Sequence, residues 1–501
     1  MPRKILILLF FLTTFQTRAS FDPDENCILA HTAILNLQLE DARTILSNEK
    51  KVHPDNYLAI VLENYIAFLK ALLSEDPKEI SEMEKLFKSS AAIIEDSDQK
   101  AAYRRPALAQ LLLQMAYIQT RSGNNLSAAL GIGKAYRLLV ENQKQFPGYK
   151  AGNLQSGLLH VLIGSIPPEY KWLPKLLQMD GSIAKGEAEI MSVLTDKSGD
   201  KLMEMMAPEC LMMLTFIVIQ VDDEKQLQKQ ILQLFAKPGQ ETVITQSPLL
   251  TYAHAMLLMK LGRNDEAILR LTKRSVSDGQ YPFLMLNYIL GTARLNKLDK
   301  EANLDFLKFI SGFKGKNLIK SAYQRLAWYY LLKGDKANYS FYMERVTSRG
   351  ATNAESDKKS LLDAESGTEP VPSLLRARLL FDGGYYSQAL EQLSLFKPTS
   401  SEVIPRHRLE YYYRKARILH QMDKSDQALD YYSIVLKQGS TSPYYFAANS
   451  ALNMGNIFAS RGMIAKAREY YQKCLSLDYN EYKAGISQEA RARLNRLNTR
   501  K

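Results

Sequence analysis

The chain has 501 residues, 46% of them apolar and 24% charged, with 65 Lys and Arg against 53 Asp and Glu for a formal net charge of +12. These figures describe an ordinary folded protein and exclude bulk disorder and collagen-like or mucin-like classes. The length allows two or three domains, or one long solenoid in which each unit touches its neighbours.

The first segment, "MPRKILILLFFLTTFQTRAS", has a basic start at Arg3 and Lys4, an apolar run from Ile5 to Leu12 and a polar end. It reads as a signal peptide over residues 1–19, with Thr17 and Ala19 suited to a signal-peptidase site. The apolar run is too short to span a bilayer. An exported, soluble protein, periplasmic or associated with the cell envelope, is therefore expected.

Residues 20–245 read as a divergent helical region. Two hairpins are legible in it, one through Ala30, Ala42, Leu46 and Pro54, the other through Ala116, Gly123, Ala128, Ile132 and Ala135. Between residues 148 and 190 the sequence "GYKAGNLQSGLLHVLIGSIPPEYKWLPKLLQMDGSIAKGEAEI" differs most from the rest. Gly157 and Gly164 lie seven apart, on nearly one helix face, and Pro167 and Pro168 stop that helix. The apolar stretch "CLMMLTFIVIQV" at 210–221 has the length of a core helix. The neighbouring Met203, Met205, Met206, Met212 and Met213 read as adaptable core fillers rather than soft metal ligands.

Residues 246–480 carry a repeated phrase. "DQALDYYSIVLKQ" at 426–438 and "IAKAREYYQKCLSLD" at 464–478 place Ala428 and Ala467 39 residues apart, each followed by a tyrosine pair. In the last unit Gly455, Phe458, Gly462, Ala467, Tyr471 and Cys474 alternate small and aromatic positions; the preceding unit has Ala416, Leu419, Asp423, Ala428, Tyr432 and Val435. Small residues let two helices approach, the aromatics fill the space beside them, and a glycine closes the first helix at positive φ. Equivalent positions 267, 302, 339, 389, 428 and 467 mark six hairpins over roughly 247–480, with Tyr339 in place of alanine and Lys297 in the closing position before Ala302. Of the tyrosine pairs, Tyr432 and Tyr471 should be core, with Tyr431 and Tyr470 turned about 100° away. The 50-residue step between 339 and 389 is explained by "SRGATNAESDKKSLLDAESGTEPVPS" at 348–373, which reads as an inserted mobile loop. Residues 481–501 read as a basic tail outside the repeats.

This pattern resembles the tetratricopeptide repeat family. The resemblance implies an all-α fold, a right-handed superhelix of antiparallel helix pairs, that binds segments of other proteins along its concave face. The 148–190 stretch also resembles, over about 40 residues, a segment of the tetratricopeptide-repeat-39-like family, in which an apolar glycine-bearing helix runs into a Pro-Pro stop. The family's groove residues lie on the first helix of each pair. Here they fall on Glu410, Tyr413, Arg417 and His420, one stripe of a helix, and on Asn456. The family's dicarboxylate clamp is not intact, since Leu452 stands where a clamp lysine would be.

No catalytic, metal or cofactor motif is recognised. His31, His53, His160, His254, His407 and His420 are scattered without HExxH or cysteine pairing, and no phosphate-binding loop occurs. The three cysteines, Cys27, Cys210 and Cys474, show no metal-ligand spacing, and Cys474 occupies a small core position. The reading is a non-enzymatic exported adaptor that binds a protein partner. The alternative is a cell-envelope carbohydrate enzyme, or its accessory subunit, with a carboxylate pair in a cleft of the N-terminal region. Residues 404–501 hold 17 Lys and Arg against 8 Asp and Glu. Such an end suits an acidic protein segment, anionic lipid head groups or acidic envelope polymer, and export argues against nucleic acid.

Overall fold

The structure, a computed structural model, describes residues 21–166, 178–220 and 225–499. The segment expected as a signal peptide and the helix stop expected at Pro167 and Pro168 lie outside the described residues. Among the described residues the chain forms 25 α-helices and no β-strand. Successive helices pair as hairpins from the start, Glu25–Leu35 with Leu39–Val52, Leu58–Ser74 with Pro77–Asp96, and Arg104–Arg121 with Asn125–Gln145. The protein is a helical solenoid.

The repeat register is visible in the burial. Ala267, Ala302, Ala389, Ala428 and Ala467 are fully buried, and Tyr339 occupies the same kind of position at 9% exposure. Tyr432 and Tyr471 are core residues. Their neighbours turn outward: Tyr431 stacks on Tyr412 and Tyr470 on Phe458. Gly455 is small for a steric reason, because a Cβ there would stand 2.5 Å from the ring of Tyr471. Gly262, Gly334, Gly384 and Gly462 close their first helices at positive φ, and Asp423 does so in the penultimate hairpin at 58°. The hairpin before Ala302 departs from the expected spacing. Its left-handed residue is Leu298, not Lys297, and its second helix starts only at Ala302.

Two segments are more ordered than their composition suggests. The 348–373 insertion, expected as a mobile loop, contains the helix Glu355–Glu365. Its contacts are polar: buried Asp357 accepts hydrogen bonds from the backbone N–H groups of Leu318 and Ser321, and Ser360 donates to Gln324. Hydrophobic periodicity does not report such contacts. The basic tail is also a helix, Lys483–Thr499. Ile486 and Ala490 are buried in the C-terminal core, with Leu494 and Leu497 packed against it. An end helix of this kind covers the apolar edge that a terminal repeat would otherwise expose.

In the N-terminal region, Gly157 and Gly164 face the helix Ile183–Leu194 and its lead-in. A Cβ on Gly157 would lie 2.6 Å from the carbonyl oxygen of Gly186, and one on Gly164 2.5 Å from the backbone nitrogen of Ile183. These glycines permit two backbones to touch, which explains why this stretch departs from the repeat phrase. The apolar segment 210–220 is the C-terminal half of the helix Lys201–Gln220, which is long and apolar enough to cross a membrane. Here it is a core helix, with Met203, Met205, Met206 and Met212 buried.

The solenoid also folds back on itself. Glu75, at the end of Leu58–Ser74, pairs with Arg121 and accepts from Asn317 Nδ2 at 2.9 and 2.8 Å. Lys314 reaches Asp76 at 2.8 Å, and Asn353 donates to the carbonyl of Arg121 at 3.0 Å. Farther along, Gln280 donates to the carbonyl of Asn36 and the backbone N–H of Tyr281 to that of Leu37. The turns of the first three hairpins thus run beside the ends of later ones.

Candidate functional site: an arginine and aromatic pocket in the C-terminal array

The helices Ile319–Leu332, Glu355–Glu365, Pro372–Asp382 and Pro405–Gln421, with residues 445–449 and 482–486, surround a cavity of about 270 Å³. Three of the five expected groove residues line it: Glu410, Tyr413 and Arg417. The other two do not. His420 lies farther along the same helix with its ring edge-on to Tyr432, and Asn456 accepts a hydrogen bond from the Tyr471 hydroxyl at 2.8 Å. Tyr413 is itself only 1% exposed, with its hydroxyl accepting from Asn449 Nδ2 at 2.9 Å. It forms part of the pocket floor, packed into the core.

The pocket contains five cationic side chains, Lys359, Arg378, Arg406, Arg414 and Arg417, and two carboxylates, Asp363 and Glu410. Arg414 pairs with Glu410 and Arg406 with Glu481. Burial works against the Glu410 carboxylate, but the Arg414 guanidinium outweighs it and holds its pKa below the usual range. Asp363 accepts from Gln324 at 3.0 Å and from the Tyr482 hydroxyl at 3.1 Å. Arg378 lies over the Trp328 ring at 4.7 Å, and Arg417 over Phe381 at 4.2 Å. Neither makes a hydrogen bond or an ion pair with another side chain among the described residues. Burial opposes the charge on Arg378, but Asp363 and Asp382 more than offset it and raise its pKa. His407 also lines the cavity, with a buried Nε2 that has no hydrogen-bond partner among the described residues.

Sequence reasoning missed Trp328, Arg378 and Lys359. Trp328 and Arg378 belong to first helices of earlier pairs, and Lys359 to the insertion. The available signal was the groove stripe of one hairpin, which does not say which other hairpins face it.

The N-terminal region holds other polar groups. Asp24, Glu49 and His53 place one ligand-type atom each within 4.8 Å of one another. They already serve the backbone and each other. Asp24 caps its helix at the N–H of Cys27, and Glu49 accepts from Asn26, Asn56 and His53. Those hydrogen bonds outweigh burial and hold the Glu49 pKa below the carboxylate range. At the glycine crossing, His160 pairs with Glu189 at 2.5 Å and lies 3.2 Å from Lys185 Nζ. The three cysteines are free and buried.

The tetratricopeptide repeat family model matches residues 409–436 and 448–481, the last two hairpins and one wall of the pocket. The chain carries tetratricopeptide repeats. Tetratricopeptide arrays are protein-interaction scaffolds, and the pocket lies within this one. Among solved structures, a chain of the APC/C hetero-tetramer Cut9-Hcn1 matches over 93% of this chain and 95% of its own, at 12% identity and a TM-score of 0.22. That likeness has no bearing on function. No curated protein matches the chain by sequence.

Proposed function

We propose that this protein is an exported, non-enzymatic adaptor whose C-terminal tetratricopeptide array holds a segment of a protein partner, in a complex of the cell envelope. The observation that carries the reading is the pocket: an aromatic floor beneath a surplus of guanidinium groups, on repeats of a family that binds protein segments. The charge of the array favours an acidic segment, since complementary potential steers encounter and suppresses wrong partners. Export rests on the apolar run from Ile5 to Leu12 and the small residues that follow it. The N-terminal histidines and carboxylates are engaged in caps and pairs, which favours a structural role for that region over an envelope carbohydrate enzyme.

Cross-linking tests the reading. A photoreactive residue at Thr368, on the pocket wall, should capture a protein in the producing cell, and one at exposed Lys437 should not. Equal capture at both positions, or capture at Lys437 alone, would contradict a groove-bound partner.

A further inference from the structure

The inserted helix changes what the groove can hold. In an open tetratricopeptide groove an extended segment lies across several first helices. Here Glu355–Glu365 and the residues after it add Lys359, Asp363, Ser366, Thr368 and Pro370 to the lining and close one side of the cavity. The insertion is fixed in place through Asp357 and Ser360 on one side and through Asp363 to Tyr482 on the other. A cavity of about 270 Å³ accommodates one or two side chains.

The chemistry of that side chain follows from the donors left without a hydrogen-bond acceptor among the described residues. Each guanidinium offers five N–H donors and accepts nothing. Those of Arg378 and Arg417 lie over aromatic rings and make no hydrogen bond among the described residues, while Lys359 lies over the Tyr482 ring at 5.3 Å and has an exposed contact with Glu355 at 4.0 Å. Asp363 and Asp382 sustain the Arg378 charge without accepting a hydrogen bond from it among the described residues, so its N–H donors stay open to a ligand, and a charge-assisted hydrogen bond is about twice as strong as a neutral one. The ligand is therefore anionic. The five cations of the lining outnumber its two carboxylates, so the pocket attracts an anion, and on a segment of a protein partner the ordinary anionic side chains are those of Asp and Glu. We propose that the Arg378–Arg417 pocket, closed by the inserted helix, receives one carboxylate-bearing side chain, Asp or Glu, of the partner segment.

The proposal rests on the reading of the groove as a protein-binding surface, and its test can separate the two. The probe is a fluorescein-labelled hexaglutamate peptide with an amidated C-terminus, titrated with the full-length mature chain and followed by anisotropy. A hexaglutamine peptide serves as neutral isostere, an alanine peptide with a free C-terminal carboxylate as the second carboxylate source, and inorganic phosphate as competitor. The expected result is saturable binding of the glutamate peptide, weakened at least about tenfold in Arg378→Gln and in Arg417→Gln, the size of one lost charge-assisted contact. Lys358→Gln, on the exposed face of the same inserted helix, should bind as wild type. Because an arginine variant could bind poorly through unfolding, Arg417→Lys is included. It keeps the charge without the fork and should fall between wild type and Arg417→Gln.

Equal binding of the glutamine peptide, tighter binding of the free C-terminus, equal competition by phosphate, or arginine variants that bind as wild type would each overturn the proposal. If capture from Thr368 persists in Arg378→Gln and Arg417→Gln while the peptide fails to bind, the carboxylate assignment falls and the groove reading stands. If neither capture nor peptide binding occurs, both fall.

Discussion

Glycine 455 shows how a single position is decided by competing magnitudes. In a helix interior, alanine is favoured over glycine by about 1 kcal/mol, but a Cβ here would press on the Tyr471 ring at 2.5 Å. Overpacking a tight core costs roughly 1–3 kcal/mol, so Gly455→Ala should lower the unfolding midpoint of the C-terminal hairpins. Gly485, in the end helix, has nothing within 4 Å of its virtual Cβ, and Gly485→Ala should raise it. The same sign for both in thermal melts would contradict the packing described. His254 offers a pH test: it is buried, stacked on Phe235 at 4.4 Å, with Nδ1 unpartnered among the described residues. Burial lowers its pKa from 6.5 to about 4. The unfolded chain then takes up the proton first, so stability falls as pH drops from about 6.5 towards about 4, by up to about 3 kcal/mol. His254→Phe keeps the stacking and removes this loss. The difference between variant and wild type should therefore grow in the variant's favour over that window, and an unchanged difference would mean the ring is not buried in its neutral form.

At the scale of elements, the second helices of the last two hairpins were legible because alanine, tyrosine and glycine recur at fixed offsets and each has a steric reason. The inserted helix was not, since what holds it is a set of buried polar contacts with no periodic signature. Asp357→Ala removes the carboxylate that caps Ile319–Leu332 at two backbone N–H groups, and a lost cap costs about 0.5–2 kcal/mol. Faster amide exchange is expected at Leu318 and Ser321 and along Glu355–Glu365. Unaltered exchange there would show that other contacts hold the insertion. The end helix was hidden for a different reason: its arginines dominate the composition, while Ile486, Ala490, Leu494 and Leu497 supply a sparse apolar stripe. Truncating it would uncover the core, so the tail's charge is better tested by substitution than by deletion. Of the candidate site, the sequence reached the Glu410, Tyr413 and Arg417 stripe but not its opposite wall, because neighbouring hairpins in a solenoid are joined by geometry rather than by any local pattern.

For the whole molecule, the contacts between early and late hairpins matter as much as the repeats. Glu75→Ala would leave Arg121 without its carboxylate and the Asn317 amide with the Arg121 carbonyl, at 3.5 Å, in place of two carboxylate acceptors. Removing one partner of a largely buried pair costs on the order of 3 kcal/mol, so the variant should unfold earlier in denaturant, and Arg121→Ala added to it should cost little more. Full additivity of the two changes would mean the residues act separately. These contacts and the insertion meet at the start of Ile319–Leu332, a helix that lines the C-terminal pocket proposed to receive the partner. The most direct test of the proposed groove binding is hydrogen exchange of the protein, alone and bound to the protein captured from Thr368. Protection on binding is expected in Pro372–Asp382, Pro405–Gln421 and the segment 366–371, with Asn125–Gln145 and Ile464–Ser476 unchanged. Protection confined to the N-terminal hairpins, or to the second helices of the array, would contradict it.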